Sequence, residues 1–211
     1  MQVKVCGLKH PNNIEAILAA KADFVGFIFY EKSSRFVGED FSLAAISNFP
    51  KEIKKVGVFV DAPQSYILSK VALYQLDFVQ LHGKETSKMC QSLQQKGVKI
   101  IKAFPVKIAS DFALCTEYEA FCDFFLFDTK GEKHGGNGVK FDWGILESYK
   151  GKLPIFLSGG IDENDAQEVK KAVAKFKQLN IKVIDINSKF ETAPALKNAD
   201  KVAHFIKEIK N

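Results

Sequence analysis

The chain has 211 residues, 46% apolar and 26% charged, a globular composition that excludes a disordered or fibrous protein. Its net charge of +5 is spread along the chain with no basic block interleaved with aromatics, so nucleic acid is not an expected partner. No apolar run nears the roughly 20 residues of a membrane span, and the opening MQVKVCGLKHP reaches charge too early for a signal peptide, which points to a cytoplasmic protein without a membrane partner.

Eight short apolar runs follow in order: VKV at 3–5, FVGFIF at 24–29, VGVFV at 56–60, FVQL at 78–81, KIIKAF at 99–104, DFFLF at 123–127, PIFLS at 154–158 and KVIDI at 182–186. Each reads as a strand buried on both faces. Their starts lie about 26 residues apart on average, room for a helix per step and too long for hairpins.

The intervals carry helical periodicity and recognisable ends. Pro11 opens a helix with Ile14, Ile17 and Leu18 on one face, and Pro63 precedes Ile67, Val71 and Tyr74. Met89, Cys90 and Leu93 line another, which Gly97 terminates. The sixth interval is weakest: the glycine loop Gly135, Gly136, Asn137, Gly138 precedes a short helical stretch around 142–149. Asn164 caps a helix carrying Val169, Val173 and Phe176, and Pro194 precedes a last one through Val202, Phe205, Ile206 and Ile209. Eight β-α steps predict an α/β fold, a single (β/α)8 TIM barrel over residues 1–211. An open doubly wound sheet is the alternative. It would usually bring GxGxxG after the first strand, where this chain has CGLKHP.

In a barrel, function belongs to the loops after the carboxyl ends of the strands. Those loops hold Cys6 and Gly7, Arg35, His82, Asp128, Gly159 and Gly160, and Asp185, Asn187 and Ser188. The Gly159-Gly160 backbone and the turn after Asn187-Ser188 predict a phosphate site, with N–H groups free to approach an anion. Cys6 and Asp128, on well-separated strands, suit proton transfer across a bound molecule, one removing a proton while the other donates. The thiol needs a nearby cation to act as a base, and Lys9 or a cationic intermediate is a candidate. Arg35 is the lone arginine among 30 basic residues, which suggests planar recognition of a carboxylate or phosphate. Cys90, Cys115 and Cys122 are expected as core thiols and Trp143 as packing. His10, His134 and His204 make no ligand set, so no metal is expected.

VKVCGLKHP, ADFVGFIFYEKSSRFV, VGVFVD, VQLHG, IIKAF, FFLFDTK, GGNG with FDW, LSGGI and DINSKFE occur in the order of the phosphoribosylanthranilate isomerase family of tryptophan biosynthesis, and the chain resembles that family over nearly its whole length. The resemblance implies an isomerase that turns N-(5-phosphoribosyl)anthranilate into 1-(2-carboxyphenylamino)-1-deoxyribulose 5-phosphate by an Amadori rearrangement, with no cofactor. It makes Asp128 the general acid and Cys6 the general base. Arg35 would hold the anthranilate carboxylate, Gly159, Gly160, Asn187 and Ser188 the phosphate, and His82 and Asp185 would line the pocket. Asn137, Lys189 and Ala195 depart from the family's usual threonine, glycine and glycine, which bears on affinity rather than reaction type. The alternatives are a related sugar-phosphate isomerase or epimerase, or a barrel that binds a sugar phosphate without turnover. The residues leave monomer and homodimer open.

Overall fold

The computed structural model describes residues 1–38, 41–42, 49–129 and 142–211. Eight parallel strands close in chain order: β1 (Gln2–Cys6), β2 (Phe24–Ile28), β3 (Lys54–Phe59), β4 (Phe78–Leu81), β5 (Ile100–Val106), β6 (Phe124–Thr129), β7 (Ile155–Leu157) and β8 (Ile181–Ile186), with β8 paired back to β1. The closed barrel is the architecture read from the periodicity, and the open sheet is excluded by the β8–β1 pairing.

Around it lie α1 (Pro11–Ala19), α2 (Gln64–Tyr74), α3 (Ser87–Gln94), α4 (Ala166–Lys175) and α5 (Ala199–Lys210). The fifth and sixth crossovers are 3-10 segments, Ala109–Glu117 and Trp143–Ser148, each with a buried face. Thr86 caps α3 by accepting from the Met89 N–H, and Gly97 leaves its far end at φ +80°. The cap before α4 falls two residues earlier than the expected Asn164. Asp162 accepts from the Asn164 N–H at 2.8 Å and Asp165 returns a bond to the Asp162 N–H at 2.7 Å, a reciprocal box around one 3-10 turn.

Three aspartates repeat a clasp that ties the barrel's lower rim. Asp23, Asp77 and Asp123 each precede an even-numbered strand in ADFVGF, LDFVQL and CDFFLF. Their carboxylates accept from the N–H of Val3, Lys55 and Ile100 at 2.8, 2.8 and 2.7 Å, and their own N–H groups bond the carbonyls of the same residues. Each strand pair is thus fixed in register at its amino end, away from the mouth.

Phe24, Val56, Phe78, Ile101, Leu126, Phe156 and Val183 fill the lower interior, with Phe156 edge-on to Phe24 and Phe124 at 5.2 and 5.0 Å between ring centres. A second apolar layer lies between strands and helices. Toward the carboxyl ends the inward positions turn polar: Lys4, Gln80, Asp128 and Asp185 are all buried. After β8 comes a hairpin that periodicity did not reveal, β9 (Glu191–Ala193) against β10 (Leu196–Lys197). Its turn holds Ala195 at φ +65°, a left-handed position that favours glycine. Asn198 then caps α5.

Candidate active site

Lys4 is the centre of a buried chain of polar groups at the barrel mouth. It stands inside β1, in register with Asp185 of β8, and its ammonium reaches Asp185 Oδ2 at 2.9 Å and Gln80 Oε1 at 2.8 Å. An ammonium only donates, so Gln80 must present its oxygen to Lys4 and its NH2 onward. That NH2 lies 2.8 Å from His82 Nδ1, which is therefore the acceptor; neutral His82 carries its proton on Nε2. Nε2 in turn faces Asp128 Oδ2 at 3.5 Å, while Asp128 Oδ1 accepts from the Thr129 N–H at 2.9 Å. One lysine on β1 thus leads to four side chains, two at the end of β4 and one each on β6 and β8.

Cys6 lies two residues above Lys4 on the same strand and is 4% exposed. Burial pushes its thiol up from the ordinary value, with Lys4 and Lys197 pulling the other way and Asp185 adding to the rise. Lys4 is stripped of water, yet Asp185 and Cys6 more than compensate and keep it charged. The cations acting on the thiol are these two lysines, while Lys9 lies partly exposed toward the α1 end of the loop. Asp185 Oδ1 is buried and has no hydrogen-bond partner among the described residues. An acceptor left so in a polar mouth is poised for a ligand hydroxyl.

A second knot sits beside the first. The Arg35 guanidinium meets Glu191 side-on, Nε to Oε1 at 2.8 Å and Nη2 to Oε2 at 2.7 Å. Lys197 pairs with the same Glu191 and donates to Asn187 Oδ1 at 2.7 Å. Gly7, at φ +79°, makes room: a Cβ there would fall 2.8 Å from Arg35 Cδ and 2.9 Å from Asn187 Oδ1. Across the mouth, Gly159 and Gly160 turn at φ +99° and +66°, and a Cβ on Gly159 would press on Thr129 and lie 3.4 Å from Asp128 Oδ1. The β7 loop therefore abuts the carboxyl on β6.

This arrangement invites comparison with known proteins. The family model for N-(5'-phosphoribosyl)anthranilate isomerase matches residues 3–208. The chain belongs to that family. A relative of that name from Parabacteroides distasonis is 44% identical over 210 residues, 99% of this chain and 93% of the relative. A solved phosphoribosylanthranilate isomerase in complex with reduced 1-(o-carboxyphenylamino)-1-deoxyribulose 5-phosphate is 28% identical with a TM-score of 0.82, covering 100% of this chain and 98% of the other. Monomers generated from the dimeric isomerase of Thermotoga maritima match at 28% identity and a TM-score of 0.81, with the same coverage.

Set on this isomerase framework, the expected site residues fall into three groups. Cys6, His82, Asp128 and Asp185 share the Lys4 chain. Arg35 and Asn187 belong to the Glu191 knot, so the Asn187 side chain turns toward β1. Gly159 and Gly160 form the β7 turn, while Ser188 opens a 3-10 turn through Phe190 after β8, with Lys189 exposed. Lys130, His134 and the loop Gly135, Gly136, Asn137, Gly138 lie outside the described residues. Cys90, Cys115, Cys122 and Trp143 are buried, in line with packing roles. Among the described residues no cluster of three His, Cys, Asp or Glu side chains is set to hold a metal, and no helix is long and apolar enough to cross a membrane.

Sequence reasoning passed over Lys4, Glu191 and Lys197, and placed Gln80 at a strand end without giving it a role. For Lys4 a signal existed: a charge at the centre of a strand read as buried on both faces needs a partner inside the barrel. Glu191 and Lys197 gave none, because strands of three and two residues show no period.

Proposed function

We propose that this chain catalyses the isomerisation of N-(5-phosphoribosyl)anthranilate in tryptophan biosynthesis, with Asp128 as acid and Cys6 as base. The observation that carries this reading is the Lys4–Gln80–His82–Asp128 chain, which ties the strand bearing the thiol to the carboxyl on β6 in one buried array. A barrel that only bound a sugar phosphate would have no use for such an array.

Asp128 protonates the furanose ring oxygen, and the C1′–O bond breaks to leave a protonated Schiff base. Cys6 removes the C2′ proton, the electron pair runs into the iminium, and the resulting enolamine tautomerises to the ketone. The cationic Schiff base beside Cys6 favours the thiolate that burial opposes. Arg35 receives the anthranilate carboxylate. Asp185 Oδ1, left without a donor among the described residues, accepts from a sugar hydroxyl. The backbone N–H groups of Gly159, Gly160, Asn187 and Ser188 hold the phosphate.

Asp128→Asn keeps the shape and removes the proton donor, so kcat is expected to fall by roughly 10²-fold or more. A steady-state assay giving near-normal kcat for that variant would remove Asp128 from the mechanism.

A further inference from the structure

Arg35 has five N–H donors, and Glu191 does not take them all. The carboxylate engages Nε and one side of Nη2, and among the described residues nothing accepts from Nη1. Glu191 is itself held from behind. Its Oε1 accepts from Lys197 Nζ and from the Ala195 N–H at 3.1 Å, which ties it into its own hairpin. Lys197 is buried, and its backbone is clamped to the Asn13 side chain of α1 in both directions at 2.8 Å. The anchoring runs without a break from α1 through Lys197 and Glu191 to the guanidinium.

The charges settle what such a knot can bind. Two cations surround one carboxylate, so the trio carries a net positive charge and can still receive an anion. Lys197 and Arg35 together keep Glu191 ionised in spite of its burial. Without Glu191, two cations would face each other and the arginine side chain, 15% exposed, would lose its fixed edge. A long side chain ordered beforehand loses less entropy when a ligand arrives.

We propose that Glu191 is a positioning residue for substrate recognition: by occupying the Nε edge of Arg35, it presents the remaining guanidinium donors to the carboxylate of the aromatic ring. The proposal rests on the reading of Arg35 given above and adds the residue that makes it work. It also bears on the specificity of this end of the site, because the prepared donors reward an anionic group on the ring over a neutral one.

The test pairs variants with a truncated substrate. Wild type, Arg35→Lys, Glu191→Gln, Glu191→Asp and the double variant Arg35→Lys/Glu191→Gln are assayed on N-(5-phosphoribosyl)anthranilate and on N-(5-phosphoribosyl)aniline, which lacks the carboxylate. Glu191→Gln is expected to lose tenfold or more in kcat/KM on the anthranilate substrate, mostly through KM, and to stay within about twofold of wild type on the aniline. Glu191→Asp should fall between wild type and Glu191→Gln on the first substrate and match wild type on the second. The double variant should be no worse than Arg35→Lys alone. Equal losses on both substrates would make Glu191 a structural residue and overturn the proposal. A gain for Glu191→Gln would overturn it too, since Glu191 would then compete with the substrate for Arg35. If Arg35→Lys itself fails to discriminate the two substrates, the Arg35 assignment falls. If Arg35→Lys discriminates and Glu191→Gln does not, only the role of Glu191 falls.

Discussion

The two ends of the barrel interior are built on opposite principles. Below, Phe24, Phe78, Leu126, Phe156 and Val183 make a dry cluster, and the rim beneath is stitched by Asp23, Asp77 and Asp123 to backbone amides. Above, one inward position further along β4, β6 and β8, the lining is Gln80, Asp128 and Asp185, joined by Lys4 of β1. Buried aromatic carbon stabilises the fold, whereas a buried ion pair such as Lys4–Asp185 gives little net stability once the loss of hydration is counted. The lower end holds the barrel closed and the upper end is kept for chemistry. Substitutions at the two ends should therefore separate stability from rate.

The sharpest way to break that division is at Phe156, which is fully buried between two other rings. Phe156→Ala should cost about 3–5 kcal/mol in urea unfolding and leave kcat of the folded enzyme within about twofold. A large fall in kcat with unchanged stability would deny that the lower end is purely structural.

At the upper end, Lys4→Met removes a cation that favours the Cys6 thiolate. Burial raises the thiol, so the limb of free-enzyme kcat/KM set by Cys6 is expected on the alkaline side. Losing Lys4 raises it further and leaves less thiolate at neutral pH. There kcat/KM should drop by about tenfold and recover as pH increases. Superimposable pH profiles for variant and wild type would show that Lys4 does not act on the thiol.

The smallest effect is expected at the hairpin, where the two principles meet. Ala195→Gly relieves a left-handed alanine, against some added freedom in the unfolded chain. A net gain of about 0.5–1 kcal/mol is expected, or about 1–4 °C in Tm, with kcat unchanged. A lower Tm would mean that packing of the buried methyl outweighs the strain.

The same contrast explains what could be read beforehand. Strands buried on both faces become apolar runs, so all eight were legible, with ends shifted by one or two residues where pairing rather than hydrophobicity sets them. β3 begins at Lys54 because Lys54 and Lys55 pair with β2, and β5 extends through Pro105 because β6 still pairs there. Cys6, His82, Asp128 and Asp185 were legible as polar residues at strand ends. Glu191 was not, because its meaning lies in Arg35, which is 156 residues away in the chain. The same distance hid the fact that Arg35 already has a carboxylate partner in the protein.

The most direct test of the acid–base pair follows the loss of anthranilate-type fluorescence after N-(5-phosphoribosyl)anthranilate is generated in situ, with wild type beside Cys6→Ser. Rapid loss in wild type and a rate reduced by roughly 10²-fold or more in the folded variant is the result expected if the thiol is the base. Equal rates in the two proteins would contradict it and pass the proton to another group.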